Sequence, residues 1–150
     1  EISLGLVGSE MCIRDRQIAM TQIIELQGTE KRLYQLVAPL VMNPEVLKQN
    51  YNYPFRTSES FVWFVAVDGK EVVGFIPLEY KKREAVINNY YIRNNNAEVL
   101  KALLEKVIAK MDKDKYLSSV TFVEHQEIFK ELGFSVEKEW KRYVKMNKEN

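Results

Sequence analysis

Cysteine and histidine are almost absent from this 150-residue chain, which contains one of each, Cys12 and His125. A single cysteine cannot form an intramolecular disulfide or a thiolate metal centre, and a single histidine leaves too few ligands for a histidine-based metal site. No apolar run approaches the roughly 20 residues that a membrane-spanning helix needs. The formal net charge is only +1, so the chain lacks the basic field that holds a nucleic-acid backbone.

What the chain does contain is the balance of a folded domain. Hydrophobic residues make up 46% and charged residues 29%, which is typical of globular proteins. The length fits one domain. We therefore expect a cytoplasmic α+β (mixed α/β) protein without a metal, a nucleic-acid partner or a membrane partner. The sequence leaves a monomer and a homodimer equally open.

The first 19 residues differ from the rest of the chain. The run SLGLVGSEMCIRDR, residues 3–16, resembles a translated sequencing adapter that recurs at the ends of unrelated protein sequences. Residues 1–19 also lack the basic start and the long apolar centre of a signal peptide. We therefore expect residues 1–19 to be a non-native or disordered tail and residues 20–150 to form a single domain. An ordinary native tail is the alternative.

Apolar periodicity divides residues 20–150 into strands and helices. The first half is predicted to contain a strand, two helices and three successive strands, at residues 21–26, 33–41, 44–49, 61–67, 71–80 and 85–92. The second half is predicted to contain a helix after Asn96, a strand at 116–123, a helix at 124–132 and strands at 134–136 and 140–146. Residues 61–67 are apolar at every position, so both faces of that strand should be covered. The order strand, helix, strand implies that 85–92 and 116–123 run parallel.

Two segments and the order of these elements resemble the GNAT superfamily of acyl-CoA N-acyltransferases. The segments are FVAVDGKEVVGFIPL at residues 64–78 and IFKELGF at residues 128–134, and the helix with the pair Leu103-Leu104 is similar to the family's cofactor-flanking helix. The resemblance implies a central mixed sheet of about six to seven strands flanked by about four helices. It also implies acetyl-CoA as co-substrate and transfer of its acetyl group to a small-molecule or peptide amine by direct attack.

The cofactor loop implied by the resemblance lies between a strand and a helix, where free backbone N–H groups and the positive end of the helix dipole suit a pyrophosphate. The residues implied in cofactor binding are Ile92, Arg93, Asn94, Asn95, Asn96, Ala97, Glu98 and Val99. The family's glycines are missing here, and asparagine is the next best residue for a left-handed backbone. Glu98 would repel a pyrophosphate. A simple turn with Asn96 as N-cap is the alternative interpretation.

Candidate catalytic residues are His125, Asn89 and Tyr91. His125 is the only side chain whose ordinary pKa is close to 7, so it is the candidate base for the attacking amine; a hydrogen-bonding histidine at a helix start is the alternative. Alternation places Asn89 and Tyr91 on one face of strand 85–92, as an acceptor lining or as a hydrogen-bonded core pair. Glu79 and Glu124 are further possible bases, or solvated carboxylates.

Two further features bear on whether the chain is an enzyme. The family often has a tyrosine that protonates the leaving thiolate, and the matching residue here is Phe129, which cannot do so. The loop containing Tyr51, Tyr53, Phe55 and Arg56 resembles the family's acceptor-side loop, although its aromatic residues could equally cover the core. A second hypothesis is therefore a catalytically silent relative that binds CoA, a small ligand or a protein partner.

Overall fold

The computed structural model describes residues 21–111 and 116–148; the tail expected at residues 1–19 lies outside the described residues. The described elements are β1 (Thr21–Gln27), α1 (Lys31–Val41), α2 (Pro44–Gln49), β2 (Phe61–Asp68), β3 (Glu71–Tyr80), β4 (Glu84–Ile87), β5 (Tyr91–Ile92), α3 (Ala97–Lys110), β6 (Tyr116–Phe122), α4 (Gln126–Glu131), β7 (Ser135–Glu139) and β8 (Tyr143–Lys148). Short 3-10 turns precede α3 and α4, at Arg93–Asn95 and Val123–His125. This mixed sheet with flanking helices confirms the expected α+β class.

The strands form one sheet in the order β1-β2-β3-β4-β6-β8-β7, and β5 pairs with β3 beyond the end of β4. Strand β2 is buried on both faces, as its uninterrupted apolar sequence predicts. Its residues Val62, Phe64 and Ala66 belong to the core under α3, whereas Trp63, Val65 and Val67 belong to the core under α1 and α2. One layer of helices therefore covers each face of the sheet.

The prediction of one continuous strand at residues 85–92 is wrong. Between the pairs Leu78↔Ile87 and Phe75↔Tyr91, three residues of the later strand lie opposite two residues of β3. Asn89 within this bulge has φ of +58°, a left-handed conformation that asparagine tolerates better than most residues. The extra residue resets the alternation of side chains, so Tyr91 packs under α1 and α2 while Ile87 packs under α3.

The predicted parallel pairing is confirmed, and it is short. β4 pairs with β6 from Glu84↔Tyr116 to Ile87↔Ser119, and there the pairing ends. β6 then continues beside β8 as far as Phe122↔Tyr143. Residues 88–90 and 120–122 consequently border an opening in the sheet, which we call the strand gap.

Helix α3 makes the crossover between the two parallel strands, and its N-terminus lies beside the strand gap. Its inward residues Leu100, Leu103, Leu104 and Val107 are fully buried against the sheet. Gly74 on β3 permits the close approach, because a Cβ atom there would lie 3.0 Å from the carbonyl oxygen of Tyr91 and 3.2 Å from the Val99 side chain. The strand gap and the helix start are thus held together by the core.

Candidate functional site

The loop that enters α3 contains two consecutive left-handed residues, Asn94 with φ of +55° and Asn95 with φ of +52°. Glycine adopts this conformation most readily and asparagine next. The structure therefore confirms that asparagine takes the backbone conformation for which glycine is usually needed. Successive N–H groups in such a turn form a concavity that suits an anion. A cavity of about 190 Å³ adjoins this loop, lined in part by Asn94, Asn96 and Glu98.

Asn96 is the N-cap of α3, as the sequence predicts. Its Oδ1 accepts hydrogen bonds from the backbone N–H of Glu98 at 3.0 Å and of Val99 at 3.3 Å. The Asn96 side chain does not cap the N–H of Ala97, the first residue of α3.

Arg93 at the start of this loop pairs with a carboxylate of its own chain. Its Nη1 lies 2.8 Å from Oε2 of Glu71 at the start of β3. The hydrogen bond to Glu71 raises the pKa of Arg93. Because both side chains are exposed, the pair contributes little stability and its guanidinium can change partners.

A chain of buried and partly buried hydrogen bonds joins the loop to the strand gap through His125. The backbone N–H of Phe122 donates to the Tyr90 hydroxyl at 3.2 Å, and that hydroxyl lies 2.6 Å from His125 Nδ1. On its other side, His125 Nε2 lies 3.1 Å from Oδ1 of Asn95. We assign the neutral imidazole with its proton on Nε2, because every partner is then satisfied: Tyr90 donates to Nδ1 and Nε2 donates to Asn95.

His125 is a buried connector in this arrangement, with only 3% of its surface exposed. Burial lowers its pKa, and the nearby Glu124 carboxylate opposes that effect. Both ring nitrogens are engaged by residues distant in sequence, so the bonds are not the local ones that the sequence left as the alternative. The side chain is not among those that line the cavity described below.

Asn89 and Tyr91, expected to share one face, lie in different surroundings. Asn89 Oδ1 accepts a hydrogen bond at 3.1 Å from Nδ2 of Asn50, which also donates to the carbonyl of Tyr53. Tyr91 packs against Phe75 and lines a separate cavity of about 530 Å³ under α1 and α2. Burial raises the pKa of Tyr91. Asn89 therefore borders the strand gap, and Tyr91 does not share its cavity.

A second cavity, of about 470 Å³, opens at the strand gap, and we call it the gap pocket. The residues that line it come from the loop after α2, the bulge, β6, the turn between β7 and β8 and the start of β8: Tyr53, Pro54, Arg56, Asn88, Asn89, Val120, Trp140 and Tyr143. Sequence reasoning pointed to Asn89 and to the loop of Tyr53 and Arg56. It missed Trp140 and Tyr143, whose only signal was a pair of aromatic residues flanking a charged turn.

Two aromatic residues near the strand gap differ in their chemistry. The hydroxyl of Tyr143 is buried and has no hydrogen-bond partner among the described residues. Burial raises the pKa of Tyr143 to about 12, so the hydroxyl remains protonated. Phe129, at the position where the family often has a tyrosine, is fully buried and packs against Phe134 and Tyr90.

The described residues carry no group of three or more histidine, cysteine, aspartate or glutamate side chains that could hold a metal ion. In the same part of the chain, no helix is long and apolar enough to cross a membrane.

No family model matches the chain, and no protein of curated annotation matches it. Solved structures do match. Escherichia coli ElaA has a TM-score of 0.69 at 15% identity, covering 85% of this chain and 99% of that chain. A GNAT family acetyltransferase from Elizabethkingia anophelis with acetyl-CoA bound has a TM-score of 0.57 at 17% identity, covering 87% and 99%. The ribosomal-protein-S18-alanine N-acetyltransferase from Escherichia coli has a TM-score of 0.65 at 16% identity, covering 86% and 93%. The chain therefore has the GNAT fold that its sequence resemblance implied.

Proposed function

We propose that this protein is an acyl-CoA-dependent N-acyltransferase that transfers an acetyl group from acetyl-CoA to an amine. The observation that carries the proposal is the strand gap, which opens next to the N-terminus of α3 and leads into the gap pocket. Neighbours of the same fold include an acetyltransferase with acetyl-CoA bound and an N-acetyltransferase of a ribosomal protein.

The proposed cofactor site is the segment from Ile92 to Val99. Backbone N–H groups of this segment, among them that of Ala97, and the positive end of the α3 dipole would bind the pyrophosphate. The backbone edges that face each other across the strand gap would bind the amides of the pantetheine arm. Acetyl-CoA supplies the activated acetyl group, and no metal is required for transfer of that group to nitrogen.

The amine would enter the gap pocket, where Asn89 faces it from the bulge. Direct attack forms the C–N bond of the amide and breaks the C–S bond of the thioester. The amine loses one proton and the leaving thiolate of CoA gains one. Because Phe129 cannot donate a proton to the thiolate, water in the pocket would carry the proton between them. We propose that His125 acts as a positioning residue, which holds the loop at Asn95, and that Tyr91 supports the bulge from the core.

The cofactor site can be tested at Ala97, the first residue of α3. Proline is tolerated at this helix position, and the extended backbone of Asn96, with ψ of 107°, accommodates a following proline. Ala97→Pro removes one N–H while leaving the helix intact, so we expect it to weaken acetyl-CoA binding about tenfold to a hundredfold in calorimetry. Ala97→Ser keeps the N–H and is the matched control. Equal affinity of the two variants would place the pyrophosphate elsewhere.

The second candidate is a catalytically silent relative that binds CoA, a small ligand or a protein partner. Two observations favour it: Phe129 stands at the usual tyrosine position, and Asn96 occupies two N–H groups of the helix start. Release of thiol from acetyl-CoA across a panel of amines separates the candidates. Binding of acetyl-CoA with no thiol release on any amine would favour the silent relative.

A further inference from the structure

Two of the aromatic side chains that line the gap pocket remain open to solvent. Tyr53 is 57% exposed and Trp140 is 45% exposed, although large hydrophobic residues are usually covered. Both line the pocket, and Tyr143 lies between the pocket and the core, with its ring centroid 6.3 Å from that of Tyr53. Exposed rings that line one cavity suit a planar or apolar group that stacks on them.

The charge around the gap pocket is positive. Arg56 is the only charged residue that lines it, and among the described residues Arg56 forms no ion pair. Two more cations stack on aromatic rings nearby: Arg142 lies 4.6 Å from the ring of Tyr51, and Lys138 lies 5.2 Å from the ring of Trp140.

Carboxylates are present only at the margin of this pocket. Glu79 borders a separate small cavity that it shares with Arg56, and Glu124 is the smallest of the influences on the pKa of Tyr143. Neither carboxylate lines the gap pocket itself. A simple cationic amine would therefore meet aromatic rings and a positive guanidinium with no opposite charge to bind it.

Positive surroundings have a second effect, which concerns the reactive nitrogen. A nearby cation lowers the pKa of a bound ammonium group and favours the neutral amine, the form that attacks a thioester. The binding energy must then come from elsewhere in the acceptor. A carboxylate on the acceptor would pair with Arg56, and an aromatic or similarly flat group would stack on Trp140 and Tyr53.

We infer that the acceptor is an amine that carries both a carboxylate and an aromatic group, of which a free aromatic amino acid is the simplest example. This inference rests on the proposed N-acyltransferase function, because it assigns the substrate class of that same pocket. Arg56 is the residue that distinguishes such an acceptor from a plain amine.

The test compares thiol release with three acceptors: L-phenylalanine, phenethylamine, which lacks the carboxylate, and L-alanine, which lacks the ring. We expect kcat/KM for L-phenylalanine to exceed both others about tenfold or more. In Arg56→Gln, kcat/KM for L-phenylalanine should no longer exceed that for phenethylamine but should still exceed that for L-alanine. Arg32→Gln, an exposed arginine on α1 away from the pocket, is the matched control. Equal or faster turnover of phenethylamine by the native protein would overturn the inference.

A binding measurement separates failure of this inference from failure of the proposed transfer. N-acetyl-L-phenylalanine carries the ring and the carboxylate and cannot react, and Trp140→Phe identifies the fluorescence change that comes from the pocket. Saturable binding that is lost in Arg56→Gln would support the acceptor class even if no amine is acetylated. Turnover of amines with no binding of this probe would refute the acceptor class and leave the transferase intact.

Discussion

Oδ1 of Asn95 lies 3.1 Å from Nε2 of His125, and this contact joins the loop before α3 to the start of α4. Asn95 follows β5 and His125 follows β6, so the contact connects the segments that leave these two strands. Tyr90 binds the other ring nitrogen at 2.6 Å, so the imidazole is fixed at both ends. The position of the loop that we propose for the pyrophosphate therefore depends on a side chain that is itself buried.

Substitution of His125 should affect cofactor affinity more than the chemical step. His125→Gln cannot satisfy both Asn95 and Tyr90, so the loop loses its anchor and we expect the Kd of acetyl-CoA to rise about tenfold. The hypothesis of a general base expects instead a fall in kcat of at least tenfold at unchanged affinity, because such catalysis contributes about 10²–10⁴-fold. Calorimetry and steady-state kinetics on the same variant decide between them.

Stability should fall as the pH drops below about 6.5. Burial lowers the pKa of His125 from its ordinary value of 6.5, so the unfolded chain binds a proton at a higher pH than the folded chain. The stabilisation is complete above pH 6.5 and is lost as the pH falls towards the lowered pKa. Melting temperatures between pH 7.5 and 5 should show this slope in the native protein.

The same scan on His125→Gln provides the control, because the variant has no group that titrates in this window at that site. Glu137 does not interfere: hydrogen bonds from Asn147 and Lys145 lower its pKa below 4.5, so its contribution disappears at more acidic pH. An identical slope in the variant would assign the pH dependence to other groups.

The left-handed backbone at Asn94 gives a matched pair of substitutions. Asn94→Gly should leave the free energy of unfolding nearly unchanged, because glycine adopts a φ of +55° without steric cost. Asn94→Ala should destabilise by about 1 kcal/mol, the cost of a left-handed conformation for a residue with an ordinary Cβ. Urea unfolding measures both, and equal stability of the two variants would show that the loop has no such backbone requirement.

Removing the charge of Glu98 should tighten acetyl-CoA binding. Glu98 lies in the first turn of α3, where a carboxylate repels a pyrophosphate at the same helix end. Glu98→Gln removes that repulsion, and the gain should shrink in high salt. Glu105→Gln, on the exposed side of the same helix, removes an equal charge away from the helix start. Affinity that is unchanged or weaker in Glu98→Gln alone would contradict the proposed phosphate position.

Two tyrosine-to-phenylalanine changes should differ in their effect on stability. Tyr90→Phe leaves the N–H of Phe122 and Nδ1 of His125 without a partner, which costs about 1–3 kcal/mol. Tyr143→Phe removes a buried hydroxyl that has no partner, so the free energy of unfolding should stay the same or rise. Thermal and urea unfolding measure both. Comparable destabilisation by the two changes would mean that the hydroxyl of Tyr143 is bonded.

The architecture could be predicted because its signals are local. The buried strand β2 follows from its uninterrupted apolar residues, and α3 follows from leucine spacing and the N-cap Asn96. The bulge at Asn89 could not be predicted, because nothing in the segment INNYYI distinguishes a continuous strand from one interrupted by a left-handed residue. Because of this one left-handed residue, Tyr91 packs in the core under α1 and α2 instead of sharing the face of Ile87.

Part of the candidate site could likewise be predicted from the sequence, and part could not. The loop at Asn94 and Asn95 was predictable, since asparagine's tolerance of a positive φ is a property of the residue itself. The burial of His125 was not, because it depends on Tyr90 and Asn95, which are far from it in sequence. The gap pocket needed Trp140 and Tyr143, which reach it only through the turn between the last two strands.

The short parallel ladder between β4 and β6 has a consequence for how the protein opens. Its four residue pairs, from Glu84↔Tyr116 to Ile87↔Ser119, are the only strand pairing in the described part of the chain that connects β1–β5 with β6–β8. Amides of β2 and β3, which are paired on both sides, should exchange with solvent only on global unfolding, whereas the β6 amides that bond to β4 can exchange through separation at this seam. A molecule held across the strand gap would bridge the two halves and slow exchange of those β6 amides selectively.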